Sequence, residues 1–160
     1  MSNTKSKKAL KYILIFCALS LLFAYFVEFI LKHKPCNLCL IERIPYIGSI
    51  ILITAILIIN KFEKLFLKII IIFFVSGAVI SFYHFGIEQG FFNESLVCEL
   101  EKIQNNLSAT DLLKKLETKI ISCKDVNFKL FGLSLATINI FVSLSLSVIV
   151  VKILNNHEKN

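Results

Sequence analysis

At 160 residues the chain is long enough for one domain and too short for two soluble ones. It is 56% hydrophobic and only 18% charged, with a mean hydropathy of +0.76, where a soluble domain is roughly half apolar and a quarter charged, so a membrane protein is expected. The formal charge of +7 does not signal nucleic acid, because the lysines punctuate apolar runs and build no soluble basic face.

A bilayer core about 30 Å thick takes roughly 20 apolar residues of helix, and inside it such runs must be helical to satisfy their own backbone groups. Four segments qualify, which predicts an all-α four-transmembrane-helix bundle forming a single membrane domain over residues 1–160. The first span is expected over Tyr12–Leu31, behind a tail carrying Lys5, Lys7, Lys8 and Lys11. The start resembles a secretory signal, but its apolar part runs too long and no clear small-x-small site follows, so an uncleaved span is expected. Cys17 lies inside this span, where a buried thiol behaves as a small apolar group.

Next comes PCNLCLIER, residues 35–43, holding Cys36 and Cys39 in a C-x-x-C with Arg43 four residues beyond. The spacing from Cys39 to Arg43 puts two side chains on one helical face, and a helix start or a nearby cation favours a thiolate. Pro45 would clash with the carbonyl of Ile41 in a regular helix, so the second span, Ile44–Asn60, is expected to become regular only at Ile44. An isolated arginine here would snorkel to the headgroups; beside two cysteines it also suits an anionic oxidant accepting electrons from within the lipid. Glu42 is a proton-transfer candidate, against the plainer expectation of an interfacial acid paired with a lysine.

A turn carrying Lys61, Lys64 and Lys68 leads to the third span, Ile69–Ile87, with His84 near its end in FYHFGIEQG. Histidine titrates near neutral pH, which suits a hydrogen-bond donor or proton carrier, and equally a ring tip at the headgroups. A long loop, residues 88–130, then holds Cys98 and Cys123. Within it, Leu112, Leu113, Leu116 and Ile120 recur at helical spacing, which predicts a short amphipathic helix over Ser108–Ile121, on the membrane surface or packed on the bundle. The fourth span is expected over Phe131–Leu154, before Lys159.

Lysine placement orients the bundle, with both termini and the turn between spans two and three cytoplasmic. The segments 32–43 and 88–130 then face outward, and with them Cys36, Cys39, Cys98 and Cys123. Disulfides persist on that side. Of three possible connectivities, Cys36–Cys39 with Cys98–Cys123 is expected in the resting form. A C-x-x-C disulfide closes too small a loop to stabilise much, and its usual use is redox exchange. Closing about 26 residues through Cys98–Cys123 is worth roughly 3–4 kcal/mol in the chain-entropy model, enough for a plain staple. Zinc is not expected, because structural sites usually combine two closely spaced pairs and Cys98 and Cys123 are far apart, with no histidine at ligand spacing, although His33 is near Cys36.

Three stretches carry a resemblance that covers nearly the whole chain: CNLCLIER followed by IPY, YHFGIEQGFF leading to Cys98, and CKDVNFKLFGLSLATIN from Cys123 onward. They resemble the DsbB family, inner-membrane thiol:quinone oxidoreductases that reoxidise the periplasmic disulfide donor DsbA. The resemblance implies that Cys36 and Cys39 pass electrons to ubiquinone or menaquinone, with Cys39 as the thiolate engaging the quinone and Arg43 as its cation. It implies that Cys98 and Cys123 form the loop disulfide that meets reduced DsbA, Cys98 carrying the mixed disulfide, and that His84 lies close to the quinone. Phe128 stands where relatives often carry tryptophan, a residue this chain lacks. The related DsbI branch would share the chemistry with another partner. A vitamin-K-epoxide-reductase-like relay is the alternative enzyme, and a non-catalytic membrane subunit with structural disulfides the alternative outside enzymes.

Overall fold

The computed structural model describes residues 4–32, 35–59, 62–93, 129–130 and 133–158. The loop cysteines Cys98 and Cys123, the Ser108–Ile121 stretch, Phe128 and His33 lie outside the described residues. Four long helices dominate, α1 over Thr4–Phe29, α3 over Ile44–Ile59, α4 over Glu63–Glu88 and α5 over Leu135–Glu158, with a single turn, α2, at Asn37–Ile41. Each long helix contains, or with α2 completes, a segment long and apolar enough to cross a membrane: Ser6–Phe29, Asn37–Ile59, Glu63–Glu88 and Leu135–Asn156. The expected four-helix bundle is therefore present.

α1 and α4 begin earlier than their apolar runs do, whereas α5 begins at Leu135, after a short ladder and later than the start expected at Phe131. α1 starts at Thr4 and α4 at Glu63, each taking in lysines that the hydropathy count had left outside. Lysine is a good helix former, so hydrogen bonding continues past the greasy stretch that sets the membrane crossing. Toward Pro45 the chain behaves as its chemistry requires. α2 stops at Ile41, Glu42 and Arg43 turn, and α3 starts at Ile44, so proline occupies a first-turn position where its missing N–H costs nothing.

The other ends are built from local rules. Gly90, at φ +78, closes α4 in the left-handed conformation. The Gly90 and Phe91 amides donate to the Ile87 and Gly86 carbonyls at 3.0 and 2.8 Å, the paired bonds of a Schellman end. Before α5, a two-residue antiparallel ladder pairs Lys129–Leu130, β1, with Leu133–Ser134, β2. Ser134 then caps the helix, its Oγ accepting from the Thr137 amide at 3.2 Å.

α4 packs most extensively on α5, while α3 lies against both α4 and α1. All four contribute to one apolar core, including Leu10, Ile13 and Cys17 from α1, Ile53 and Ile56 from α3, Leu67, Ile70 and Phe74 from α4, and Val150 and Ile153 from α5. Cys17 is fully buried there, as a small apolar group would be. Many large apolar side chains, Ile15, Leu22, Ile58, Ile72 and Phe141 among them, point outward, where only lipid would suit them.

Candidate functional site

At the end of the bundle away from both termini, the turn Pro35–Arg43 folds over the last turns of α4. Cys36 precedes α2 in an extended conformation, and its sulfur accepts from the Cys39 amide at 3.4 Å. This local capping bond brings Cys39 round, so that the two sulfurs stand 3.0 Å apart. Both are free thiols here, so the pair expected as a resting disulfide is described in its reduced form. Cys36 is buried against Leu38 and Ile87, and Cys39 is partly buried at the rim.

His84 reaches this pair from α4. Its Nε2 lies 3.5 Å from the Cys36 sulfur and its Nδ1 lies 2.8 Å from Glu42 Oε1. Sequence reasoning left His84 open between headgroups and chemistry; the side chain is only 4% exposed and faces the thiols. Glu42 differs more from expectation. It is not an interfacial acid on a lysine but a buried group held between His84 and Asn139, whose Nδ2 donates to Glu42 Oε2 at 3.1 Å. The reason is the turn before Ile44, which rotates Glu42 inward and Arg43 outward.

Asn139 joins three helices at this point. Its Nδ2 also donates to Ser81 Oγ at 2.7 Å, and its Oδ1 accepts from the Tyr46 hydroxyl and from Ser143. Both donors and both acceptor positions of the amide are used, which is the condition for keeping such a group inside a membrane bundle.

Arg43 reaches α1. Its Nη1 donates to Glu28 at 2.7 Å and its guanidinium lies 4.9 Å over the Tyr25 ring, with 11% of the side chain exposed. Leu40 and Ile44, its near neighbours in sequence, are exposed apolar groups. Cys36, Cys39, Glu42 and His84 are thus brought together, with Arg43 beside them on the next turn, while Cys98 and Cys123 fall outside the described residues.

Electrostatics within the pair favour one sulfur. The Cys39 thiol donates to Cys36, and this bond, with His84 beside it, lowers Cys36 from the ordinary thiol range to about 4 in spite of its burial. The resemblance assigns the quinone-facing thiolate to Cys39; in the reduced pair the donors converge instead on Cys36, and the remaining thiol proton rests on Cys39. Such an arrangement can exchange thiols and move a proton from sulfur to His84 Nε2.

Sequence reasoning passed over Glu28, Asn139, Ser81 and Glu88. An ionisable or amide side chain inside a span is expensive unless partnered, and that signal alone marks Glu28 and Asn139. Glu88, one turn beyond His84, has its Oε1 3.7 Å from His84 Nε2.

The chain is 31% identical over 125 residues to a protein of Rickettsia prowazekii (strain Madrid E) described as uncharacterised protein RP370, covering 77% of this chain and 73% of the relative. No solved structure is similar. The model of the family "Disulfide bond formation protein DsbB" matches residues 6–153, from the start of the first span to the last turns of the fourth, and the chain belongs to that family of multi-pass membrane oxidoreductases.

Proposed function

We propose that the protein reoxidises a periplasmic DsbA-like thiol oxidase and passes the electrons to a membrane quinone, making disulfides for exported proteins. The observation that carries this reading is the C-x-x-C dithiol held 3.0 Å sulfur to sulfur, with His84 and Glu42 behind it and an apolar rim in front. In this reading residues 1–160 form one membrane unit of the bacterial inner membrane. Both termini are cytoplasmic, and the segments 32–43 and 88–130 face the periplasm.

The relay is repeated thiolate attack on disulfide sulfur. A thiolate of the reduced partner attacks the Cys98–Cys123 disulfide, Cys98 forming the mixed disulfide, and the partner leaves oxidised. The loop thiols then exchange with an oxidised Cys36–Cys39 pair through Cys36, which leaves Cys36 and Cys39 reduced. Reoxidation of that pair releases two electrons and two protons. Ubiquinone or menaquinone supplies the matching two-electron, two-proton acceptor when bound.

The rim fits such a group. A flat apolar oxidant with carbonyls needs an accessible sulfur, lipid-facing apolar side chains and a cation. Partly buried Cys39 at the rim, exposed Leu40 and Ile44, and Arg43 over Tyr25 provide these. Arg43 would hold and polarise the acceptor, and Cys39 would be the sulfur that meets it. His84 Nε2 takes the proton leaving Cys36, and Glu42 Oε1, on Nδ1, holds the ring in place for that transfer.

The test mixes the detergent-solubilised protein with quinone and a reduced DsbA-like thiol protein while quinone absorbance is followed. Wild-type protein should reduce quinone, Cys36→Ser and Cys39→Ser should stop it, and Arg43→His should mainly raise the quinone concentration needed for half-maximal rate. Undiminished turnover by Cys39→Ser sinks the reading.

A further inference from the structure

Along the sequence, no histidine lies at ligand spacing from Cys98 or Cys123. The fold supplies a different donor, from 48 residues beyond Cys36. The ligand atoms of Cys36, Cys39 and His84 all lie within 4.8 Å of one another. We infer that the reduced C-x-x-C, with His84, is a binding site for one Zn²⁺, and that the ion holds the pair in its dithiol form.

Geometry and chemistry support this together. Zinc bonds of about 2.3 Å to sulfur and about 2.0–2.1 Å to nitrogen, at tetrahedral angles, place a sulfur and a nitrogen about 3.6 Å apart and two sulfurs about 3.8 Å apart. Cys36 Sγ and His84 Nε2 already stand 3.5 Å apart. The two sulfurs, at 3.0 Å, must separate by roughly 0.8 Å, and Cys39 Sγ, which lies within 4.8 Å of the imidazole nitrogen, must approach it to about 3.6 Å, both by movement of the partly buried Cys39 side chain. A zinc-ligating histidine usually gives its other nitrogen to a carboxylate, which fixes the tautomer and the ring. Glu42 Oε1 sits on His84 Nδ1 at 2.8 Å in that position.

A second, independent observation concerns the fourth coordination position. Glu88 Oε1 lies 3.7 Å from His84 Nε2, its side chain is 6% exposed, and its Oε2 is buried with no hydrogen-bond partner among the described residues. The Glu88 carboxylate, which also meets Ser134, is thus a hard donor next to the imidazole nitrogen, at the edge of the Cys36–Cys39–His84 group. Cys₂His with one carboxylate or water is a common zinc set.

Binding involves no electron transfer. Two zinc–sulfur bonds and one zinc–nitrogen bond form, and two protons leave: that of Cys39, and the one shared between Cys36 and His84. The disulfide form has no thiolate to offer, so the ion selects the reduced state. Each tenfold of free Zn²⁺ above the dissociation constant then raises the pair's apparent midpoint potential by about 30 mV. Inhibition of turnover by Zn²⁺ rests on the proposed function; the binding itself does not.

The test uses the full chain in detergent with Cys98→Ser and Cys123→Ser, so that loop thiols contribute nothing, titrated with Zn²⁺ against a chromophoric chelator. The reduced protein should bind one Zn²⁺ and release two protons per ion in weak buffer, and the same protein oxidised at Cys36–Cys39 should bind none. Glu42→Gln should weaken binding about 10–100-fold and His84→Ala at least as much. Cadmium in place of zinc should produce a thiolate charge-transfer band that Cys36→Ser reduces. Equal binding by reduced and oxidised protein, or no binding at micromolar Zn²⁺, overturns the inference. Quinone reduction in metal-free buffer, measured on wild-type protein, reports the proposed function separately: its loss leaves zinc binding standing, and its survival says nothing for zinc.

Discussion

The same four helices meet in two different ways at the two ends of the bundle. Toward the termini, Leu10, Ile53, Leu67, Ile70, Val150 and Ile153 pack side chain against side chain, with little polar between them. Toward the cysteines, Glu42, His84, Ser81 and Asn139 replace that packing with a hydrogen-bonded chain. Tyr46 belongs to both, its ring edge-on to Phe74 at 6.2 Å and its hydroxyl on Asn139. Lipid tails are as apolar as leucine, so the terminal end gains from close packing and little from hydrophobic transfer. The cysteine end holds polar groups that are costly anywhere in hydrocarbon unless every one is partnered. One end makes the bundle; the other keeps a reactive pair in a defined setting.

The sharpest way to separate the ends is Phe74→Ala. Phe74 is fully buried in the terminal core. Its truncation should cost about 2–4 kcal/mol, mostly the cavity part of the usual Phe→Ala penalty. Thermal unfolding in detergent reads the loss, and the pH profile of thiol alkylation at Cys36 should not move. Asn139→Leu is the converse. It removes four hydrogen bonds and strips the Tyr46 hydroxyl and one oxygen of Glu42 of their Asn139 partner, while Ser81 keeps its bond to the Gly77 carbonyl. We expect about 1–3 kcal/mol of destabilisation, less than a soluble core would show because the unfolded helices also find partners. Unlike Phe74→Ala, it should slow turnover more than its loss of stability explains, through Glu42 and His84.

A third measurement sharpens the electrostatic side. Cys36 is lowered to about 4, first by the Cys39 thiol. Its alkylation rate should therefore stay high from neutral pH down to about 5 and fall only below that. In Cys39→Ala the midpoint should climb toward the ordinary thiol value of about 8.5. The sign for stability follows: a thiolate favoured in the fold contributes fully above the unfolded thiol pKa, and that contribution is lost as pH falls through about 4. A wild-type alkylation midpoint near 8 would remove the case for a thiolate at Cys36.

The contrast between the ends also explains what was legible in the sequence. Four apolar runs and the PCNLCLIER stretch are local signals, so the spans, the break at Glu42–Arg43 and the regular start at Ile44 could be read directly. The rotation of the helices could not. A helix apolar all round gives no stripe to say which face meets its neighbours. Hence Asn139 and Ser81 show in the sequence only as polar residues inside greasy spans, and nothing local says that they meet each other. Glu42 was ambiguous for the same reason: the turn before Pro45 decides whether it faces headgroups or His84. The spacing puts Arg43 one turn from Cys39, but no local signal says that its guanidinium pairs with Glu28 of α1.

The smallest effect is expected at Gly86, where the cysteine end joins the loop. A Cβ there would overlap the Phe92 ring, so alanine cannot enter without moving it. Against this, alanine gains about 1 kcal/mol over glycine inside a helix. Phe92 is 43% exposed and its ring can swing outward, losing the stack on Tyr83 at 5.6 Å, an aromatic pair worth about 0.5–1.5 kcal/mol. The two terms nearly cancel, so Gly86→Ala should leave the melting temperature within a few degrees of wild type. What should change is the direction in which the chain departs α4, because the Phe91 and Phe92 amides both donate to the Gly86 carbonyl at its end. Exchange between the loop cysteines and Cys36, followed by trapping the mixed disulfide, should slow severalfold while small-molecule alkylation of Cys36 stays unchanged. If both rates hold, Phe92 does not steer the loop, and the aromatic stack on Tyr83 merely covers the end of the helix.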